Sequence, residues 1–289
     1  MDTQQFTHPI ADVPHTSFKA HQQQDSLIRN KSCIYQLKQV GVSIGEKEIL
    51  SPVNLSLQPG RVYGLVGHNG SGKSTLLKVL SRTIAPTQGE VSLKGQAIET
   101  WKSRAFSQQV AYLPQYLPSA NGLTARELLS MSRYAWHGML GRKKASDKQA
   151  IDHAIALTGV ADLLERQVDT LSGGERQRVW LTTLVAQQSG CLLLDEPTSA
   201  LDVGHQLEVL QLIQTLGHDH GKCIVIIMHD INMAARYCDE IIALREGKML
   251  LQAAPSEVMQ PDVLQKIYGI NMAVMHPEDH PPISFAKKL

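Results

Sequence analysis

The chain has 289 residues, of which 43% are hydrophobic and 19% charged, with a formal net charge of +1 at pH 7. That length allows one sizeable core with two lobes, or two small domains. The near-neutral balance supplies no field that would draw the chain to DNA, RNA or anionic lipid, so no nucleic-acid partner is predicted. Apolar runs such as Cys191–Leu194 and Cys223–Met228 fall far short of the roughly 20 residues that a membrane-spanning helix needs.

Residues 1–32 are rich in Gln, His and Asp and lack helix or strand periodicity, which predicts a flexible N-terminal extension without a signal peptide. The four cysteines, Cys33, Cys191, Cys223 and Cys238, have no CxxC spacing and read as free thiols rather than metal ligands or a disulfide. The histidines are scattered, and those at His276 and His280 read as solvated. From Cys33 onward the pattern is strand-like: Ile34, Leu37 and Val40, then Ile49, Val53, Leu55 and Leu57. Arg61–Val66 predicts a buried strand that enters a Gly-rich turn and a helix over 74–82. Short strands follow at Val91–Leu93 and Val110–Leu113.

Residues 116 to about 168 change character. Thr124-x-x-Glu127 and Ser146-Asp147 are helix starts, and Leu128, Leu129, Ile151, Ile155 and Leu157 recur at helical spacing, so a mostly helical insertion is predicted. Alternation then returns: a helix from Ser172 to about Gln188, a strand at Cys191–Leu194 and a helix around Gln206–Leu216. A strand at Cys223–Met228, a helix over Ile231–Tyr237 and a strand at Ile241–Leu244 complete it. Strands alternating with helices predict an α/β core with a largely parallel sheet.

Gly67-His68-Asn69-Gly70-Ser71-Gly72-Lys73-Ser74 matches G-x-x-x-x-G-K-[ST] in full. Its glycines let successive N–H groups turn inward to make an anion site, and the following helix adds its positive N-terminal end. Lys73 is expected to reach the terminal phosphates and the Ser74 hydroxyl to hold Mg²⁺. Cys191–Leu194 is an apolar strand that ends in Asp195 and Glu196. Acids at a strand's carboxyl end point into a ligand crevice, Asp195 for Mg²⁺ and Glu196 for the attacking water. Ser172-Gly173-Gly174-Glu175 is an S-x-x-E capping box whose two glycines leave the helix end bare for an anion.

Together with the other two motifs, Leu171-Ser172-Gly173-Gly174-Glu175 resembles the signature of ABC-type transporter ATPases. Gln115 resembles the family's Q-loop glutamine, Ser199-Ala200-Leu201-Asp202 its D-loop and His229 its switch histidine. The resemblance implies a P-loop NTPase (RecA-like) α/β core over 33–270, with an antiparallel β subdomain, an inserted helical subdomain at about 116–168 and a C-terminal tail over 271–289. It also implies ATP and Mg²⁺ as cofactors and a head-to-tail homodimer. Each ATP would meet residues 67–75, the last being Thr75, with Gln115, Asp195, Glu196 and His229 of one chain. Ser172, Gly173, Gly174 and Asp202 of the other would complete the site. Glu196, His229 and Gln115 take catalytic roles; Ser74, Gln115 and Asp195 serve the metal. Family members usually carry an aromatic residue roughly 25 positions before the first loop glycine, stacked on adenine; that place falls near Val42 here, which implies a looser grip on the base.

The segment Leu123–Arg142 supports two readings. In one, Leu128, Leu129 and Met131 are core with Tyr134 and Trp136 covering them. In the other, the aromatic and basic residues form a docking surface for a membrane permease. This segment, with Ala111–Gln115 and Asp230–Tyr237, is similar to iron-siderophore importer ATPases, nearest to the ferric-hydroxamate type. The implied setting is peripheral, on the cytoplasmic face of the inner membrane, beside an integral permease and indirectly a periplasmic or surface siderophore-binding protein. Other ferric chelates, haem and cobalamin remain alternative cargoes. Soluble ABC ATPases of repair or ribosome function are disfavoured, because Lys73 and Leu171 are only 98 positions apart and one ATPase unit is present.

Overall fold

The structure, a computed structural model, describes residues 34–138, 144–199, 201–278 and 281–287. The predicted N-terminal extension, Cys33, Ala200, His280 and the end of the Leu123–Arg142 segment lie outside the described residues.

Strands β1 (Tyr35–Ile44) and β2 (Lys47–Leu57) form a hairpin, followed by β3 (Arg61–Val66) and helix α1 (Lys73–Leu80). Next come β4 (Gln88–Leu93), the short β5 (Gln96–Ala97), α2 (Ser103–Gln109) and β6 (Val110–Leu113). Three helices, α3 (Ala125–Met131), α4 (Tyr134–His137) and α5 (Ala145–Thr158), make the helical lobe, and α6 (Gly173–Gln187) returns to the core. The chain continues through β7 (Cys191–Leu194), α7 (Val203–His218), β8 (Cys223–Ile227), α8 (Ile231–Tyr237), β9 (Glu240–Arg245) and β10 (Lys248–Ala253). It ends with α9 (Pro255–Val258), α10 (Pro261–Tyr268), β11 (Met272–Met275) and β12 (Ile283–Ala286).

The central sheet has the order β10-β9-β3-β8-β7-β6, parallel except for the edge pair β10/β9. Its middle strands are apolar on both faces, as a sheet covered on both sides requires. Tyr63, Leu65, Leu193 and Val225 pack toward α1, while Val62, Leu192, Leu194, Ile224 and Ile226 pack toward α6, α7 and α8. The second sheet, β2-β1-β4-β5, is antiparallel throughout, and in β2 buried Leu50, Val53, Leu55 and Leu57 alternate with more exposed neighbours. The buried Tyr35 hydroxyl donates to the Leu80 carbonyl at 2.6 Å, which ties this sheet to the end of α1.

The helical lobe has a small core of its own around Ala125, Leu128, Val160 and Val168. Its α5 helix buries Ala150, Ala154 and Thr158, whereas the predicted Ile151 and Ile155 are only half-buried. The small residues, four apart on one helix face, permit close approach to α6, where the Thr158 and Thr182 hydroxyls meet at 2.8 Å. Leu128 and Leu129 are buried as the core reading expects, but Met131 is 60% exposed and Tyr134 55%. Met131 is thus corrected from core to surface.

Within the expected C-terminal tail, residues 271–289, β11 and β12 pair antiparallel, and β12 packs on α8. Weak periodicity hid this pairing, because β11 is only half-buried and β12 buries Ser284 alone. Helix α7 starts at Val203 instead of near Gln206, since Asp202 accepts from the His205 N–H at 3.0 Å and caps it. Among the described residues the cysteines Cys191, Cys223 and Cys238 are buried and form no disulfide.

Candidate nucleotide-binding site

Strands β3, β6, β7 and β8 run parallel, so their carboxyl ends open on one edge of the sheet. That edge carries the Gly67–Ser74 loop after β3, Gln115 beyond β6, Asp195 and Glu196 after β7, and His229 beyond β8. A cleft of about 360 Å³ opens there, lined by Ile49, Asn69, Gly70, Gly72, Lys73, Ser74, Thr75, Gln115, Glu196 and His229.

The loop is built to receive an anion. Gly67 has φ 141°, and a Cβ at that position would lie 2.0 Å from the Leu244 carbonyl oxygen, so only glycine fits. Gly72, at φ 99°, is the N-cap of α1 and offers no side-chain cap, and the first turn holds no acid. The helix's first N–H groups are therefore left for a ligand. The buried Ser71 hydroxyl has no partner. Lys73 is 5% exposed and donates from Nζ to the Gly67 and His68 carbonyls, each at 2.8 Å. Burial lowers its pKa, against the opposing pull of Glu196 and Asp195. An orphaned hydroxyl, a bare helix end and a lysine satisfied only by its own loop fit a polyphosphate.

Glu196 gathers the other groups. Its Oε2 accepts from Gln115 Nε2 at 2.7 Å, and its Oε1 lies 2.7 Å from His229 Nε2. Its backbone is left-handed, φ 52°, which turns the side chain off the line of β7, and the Glu196 carbonyl accepts from the Ser199 hydroxyl at 3.1 Å. Asp195 is 4% exposed, 3.5 Å from the Ser74 hydroxyl and 3.5 Å from the Tyr112 hydroxyl. Burial, and then the Glu196 charge, raise its pKa. Burial pushes the Tyr112 phenol up to about 12, helped by Asp195. A carboxylate beside a loop hydroxyl suits a hydrated divalent cation.

The predicted residues do not all meet. Ser172, Gly173, Gly174 and Asp202 do not line the cleft. Ser172 and Glu175 form the capping box, with Glu175 N–H to Ser172 Oγ at 3.3 Å and Ser172 N–H to Glu175 Oε2 at 2.8 Å. Asp202 is engaged as the α7 cap and lies 2.7 Å from His205 Nδ1. Gly174 faces Leu201 and His205, so signature and cap sit together, away from the loop. His68 points away from the cleft, to the C-terminal segment.

Val42, near which the usual aromatic position falls, offers the base no surface. It is 4% exposed, inside the core beneath a β1 whose register shifts repeatedly near it. The exposed apolar residue is Ile44, 71% exposed at the end of β1, in the hairpin that supplies Ile49 to the cleft. Sequence reading passed over Ile44 and took Ile49 only as a strand residue, because neither is aromatic. Ile44→Tyr is expected to tighten ATP binding about fivefold, as stacking on a base is worth about 1 kcal/mol or more. Val42→Tyr is expected instead to lower the melting temperature by overfilling the core. A titration showing parental affinity for Ile44→Tyr would place the base elsewhere.

The family model described as ABC transporter matches residues 50–199. The chain belongs to the ABC transporter family. It is 38% identical over 247 residues to the iron(3+)-hydroxamate import ATP-binding protein FhuC of Bacillus subtilis (strain 168), covering 85% of this chain and 92% of that one. It is 35% identical over 238 residues to the ferric enterobactin transport ATP-binding protein FepC of Escherichia coli (strain K12), covering 82% and 88%. Among solved structures it is similar to the dimeric bacterial ABC transporter cassette MJ0796, with a TM-score of 0.68 and 26% identity over 76% of this chain and 98% of that one. The ATPase is thus the ATP-binding subunit of an ABC importer, an ATP hydrolase coupled to transport. Among its described residues no helix is long and apolar enough to cross a membrane.

Proposed function

We propose that two copies of this ATPase bind ATP head to tail, with Mg²⁺, and drive uptake of an iron(III)-hydroxamate siderophore through a partner permease in the inner membrane. The observation that carries the dimer is the division of the predicted site. The loop, Gln115, Glu196 and His229 share one cleft, while Ser172–Gly174 at the start of α6 lie outside it, free to meet a phosphate held by a second chain. Residues 67–75 cradle the phosphates. Ser74 and Asp195, with Gln115 at the cleft mouth, are the groups that would hold Mg²⁺, which when bound neutralises phosphate charge. Glu196 accepts the proton of the attacking water, Gln115 and His229 orient that water and the terminal phosphate, and positioning supplies most of the rate.

Permease docking is favoured by a groove of about 800 Å³ between α2 and the helical lobe, lined in part by Arg104, Pro114, Leu128, Met131, Tyr134 and Trp180. Exposed aromatic and Met side chains beside an Arg suit a helix of a partner. Arg133, buried and paired with Asp147 at 3.0 Å, donates to the Ala186 carbonyl at 2.9 Å and so links this lobe to the end of α6.

The cargo rests on the likeness to the hydroxamate importer's ATPase. Purification from membranes is expected to bring down a permease, and ferrichrome-type cargo on its binding protein to stimulate ATP hydrolysis several-fold. Stimulation by haem or cobalamin instead would reassign the cargo. A soluble partner with no permease would overturn the importer assembly.

A further inference from the structure

The C-terminal thirty or so residues hold none of the predicted site residues, yet at two places they touch the elements that carry the site. At the end of α10, the Tyr268 carbonyl accepts from His68 Nε2–H at 2.5 Å, and the two rings meet edge to face, 5.7 Å between centroids. A carbonyl only accepts, so this contact assigns the proton to Nε2. His68 is the second residue of the phosphate loop. The Tyr268 hydroxyl is buried without a partner, and burial together with the Asp230 charge raises its pKa far above the usual range. Tyr268 therefore serves through its ring and its carbonyl, not its phenol. Behind it, Leu264 and Ile267 anchor α10 in the core, and Arg245 Nη1 donates to the Lys266 carbonyl at 2.8 Å.

The second contact is on β12. Ser284 donates to Asn232 Oδ1 from its N–H at 2.7 Å and from its hydroxyl at 3.0 Å, and its carbonyl accepts from Asn232 Nδ2 at 3.1 Å. Asn232 lies in the first turn of α8, three residues after His229. The same turn is capped from the other side by Asp230 Oδ1, which accepts from the Asn232 N–H at 2.7 Å. One partner of the strap is the loop after β3 and the other the first turn of α8 after β8, beside which His68 and His229 are exposed.

We infer that α10 and the paired strands β11 and β12 form a strap that sets the spacing of the phosphate loop and the His229 loop, with Tyr268 and Asn232 as positioning residues. It rests on the roles proposed above for that loop and for His229. The two ends act on different steps. Tyr268 steadies the loop that binds ATP, whereas Asn232 steadies the turn that aims His229 at the terminal phosphate, a placement on which rate depends steeply.

The test uses the purified full-length chain, with ATP affinity, steady-state turnover and thermal melting measured for each variant. Tyr268→Ala is expected to weaken ATP binding roughly fivefold with kcat little changed, and Tyr268→Phe to restore parental affinity. Asn232→Ala is expected to lower kcat roughly tenfold with ATP affinity unchanged. Asn232→Asp keeps the acceptor contacts, loses the donor and should fall less. Equal losses of affinity, kcat and melting temperature in both alanine variants would reduce the strap to a structural brace and overturn the inference. Parental values throughout would also overturn it. His229→Ala, run alongside, separates the two readings: parental turnover there would remove the role of His229 itself, independently of the strap.

Discussion

Glu196→Gln is expected to bind ATP within a few-fold of the parental chain and to hydrolyse it roughly 10²- to 10³-fold more slowly, the range for loss of a positioned base. Gln preserves the size and one acceptor oxygen of a side chain that holds Gln115 and His229, each at 2.7 Å, so the cleft keeps its shape while losing its base. The left-handed backbone at this residue, φ 52°, is no harder for Gln than for Glu. Because ATP would then remain intact between two chains, a dimer should accumulate with MgATP, detectable by size-exclusion chromatography with light scattering. Parental turnover would remove Glu196 from the chemistry. A monomer under these conditions would argue against the shared site.

Lys73→Ala is expected to raise the Kd for ATP roughly 10- to 100-fold, the equivalent of losing a charge-assisted hydrogen bond of about 1.5–3 kcal/mol. The ammonium is already desolvated, 5% exposed, and bound only to the loop carbonyls of Gly67 and His68. A phosphate therefore gains a pre-placed charge without the cost of stripping water from it. Equilibrium binding with a fluorescent ATP analogue reads the effect directly. Unchanged affinity would mean that the loop does not cradle the phosphates.

Much of this site was legible because its chemistry is local. Three glycines in a short loop, two acids after four apolar residues and an S-x-x-E box each encode their backbone geometry within a few residues. The alternation of apolar strands with helices likewise announced the parallel sheet. What was not legible depends on contacts distant in sequence. Val42 and Ile44 differ by two positions on one strand, and irregular pairing with β2 and β4 decides which of them is buried. Met131 fits the apolar face of α3 as well as Leu128 does, but the lobe's core ends before it. In α5, the isoleucines suggested the wrong face, since close packing on α6 selects Ala150, Ala154 and Thr158.

The sequence by itself determined the phosphate-loop motif after a buried strand and the pair of carboxylates proposed to accompany it, because those features arise from backbone conformation and charge over short spans. Only the tertiary structure decided that Gln115, Glu196 and His229, far apart in the chain, meet in one cleft, while Ser172–Gly174 and Asp202 stay outside it. It also decided that residues beyond 260 reach back to His68 and Asn232. The physical reason is strand order: β3, β8, β7 and β6 lie side by side although they are dispersed along the chain, and side-by-side strands bring their loops to one edge.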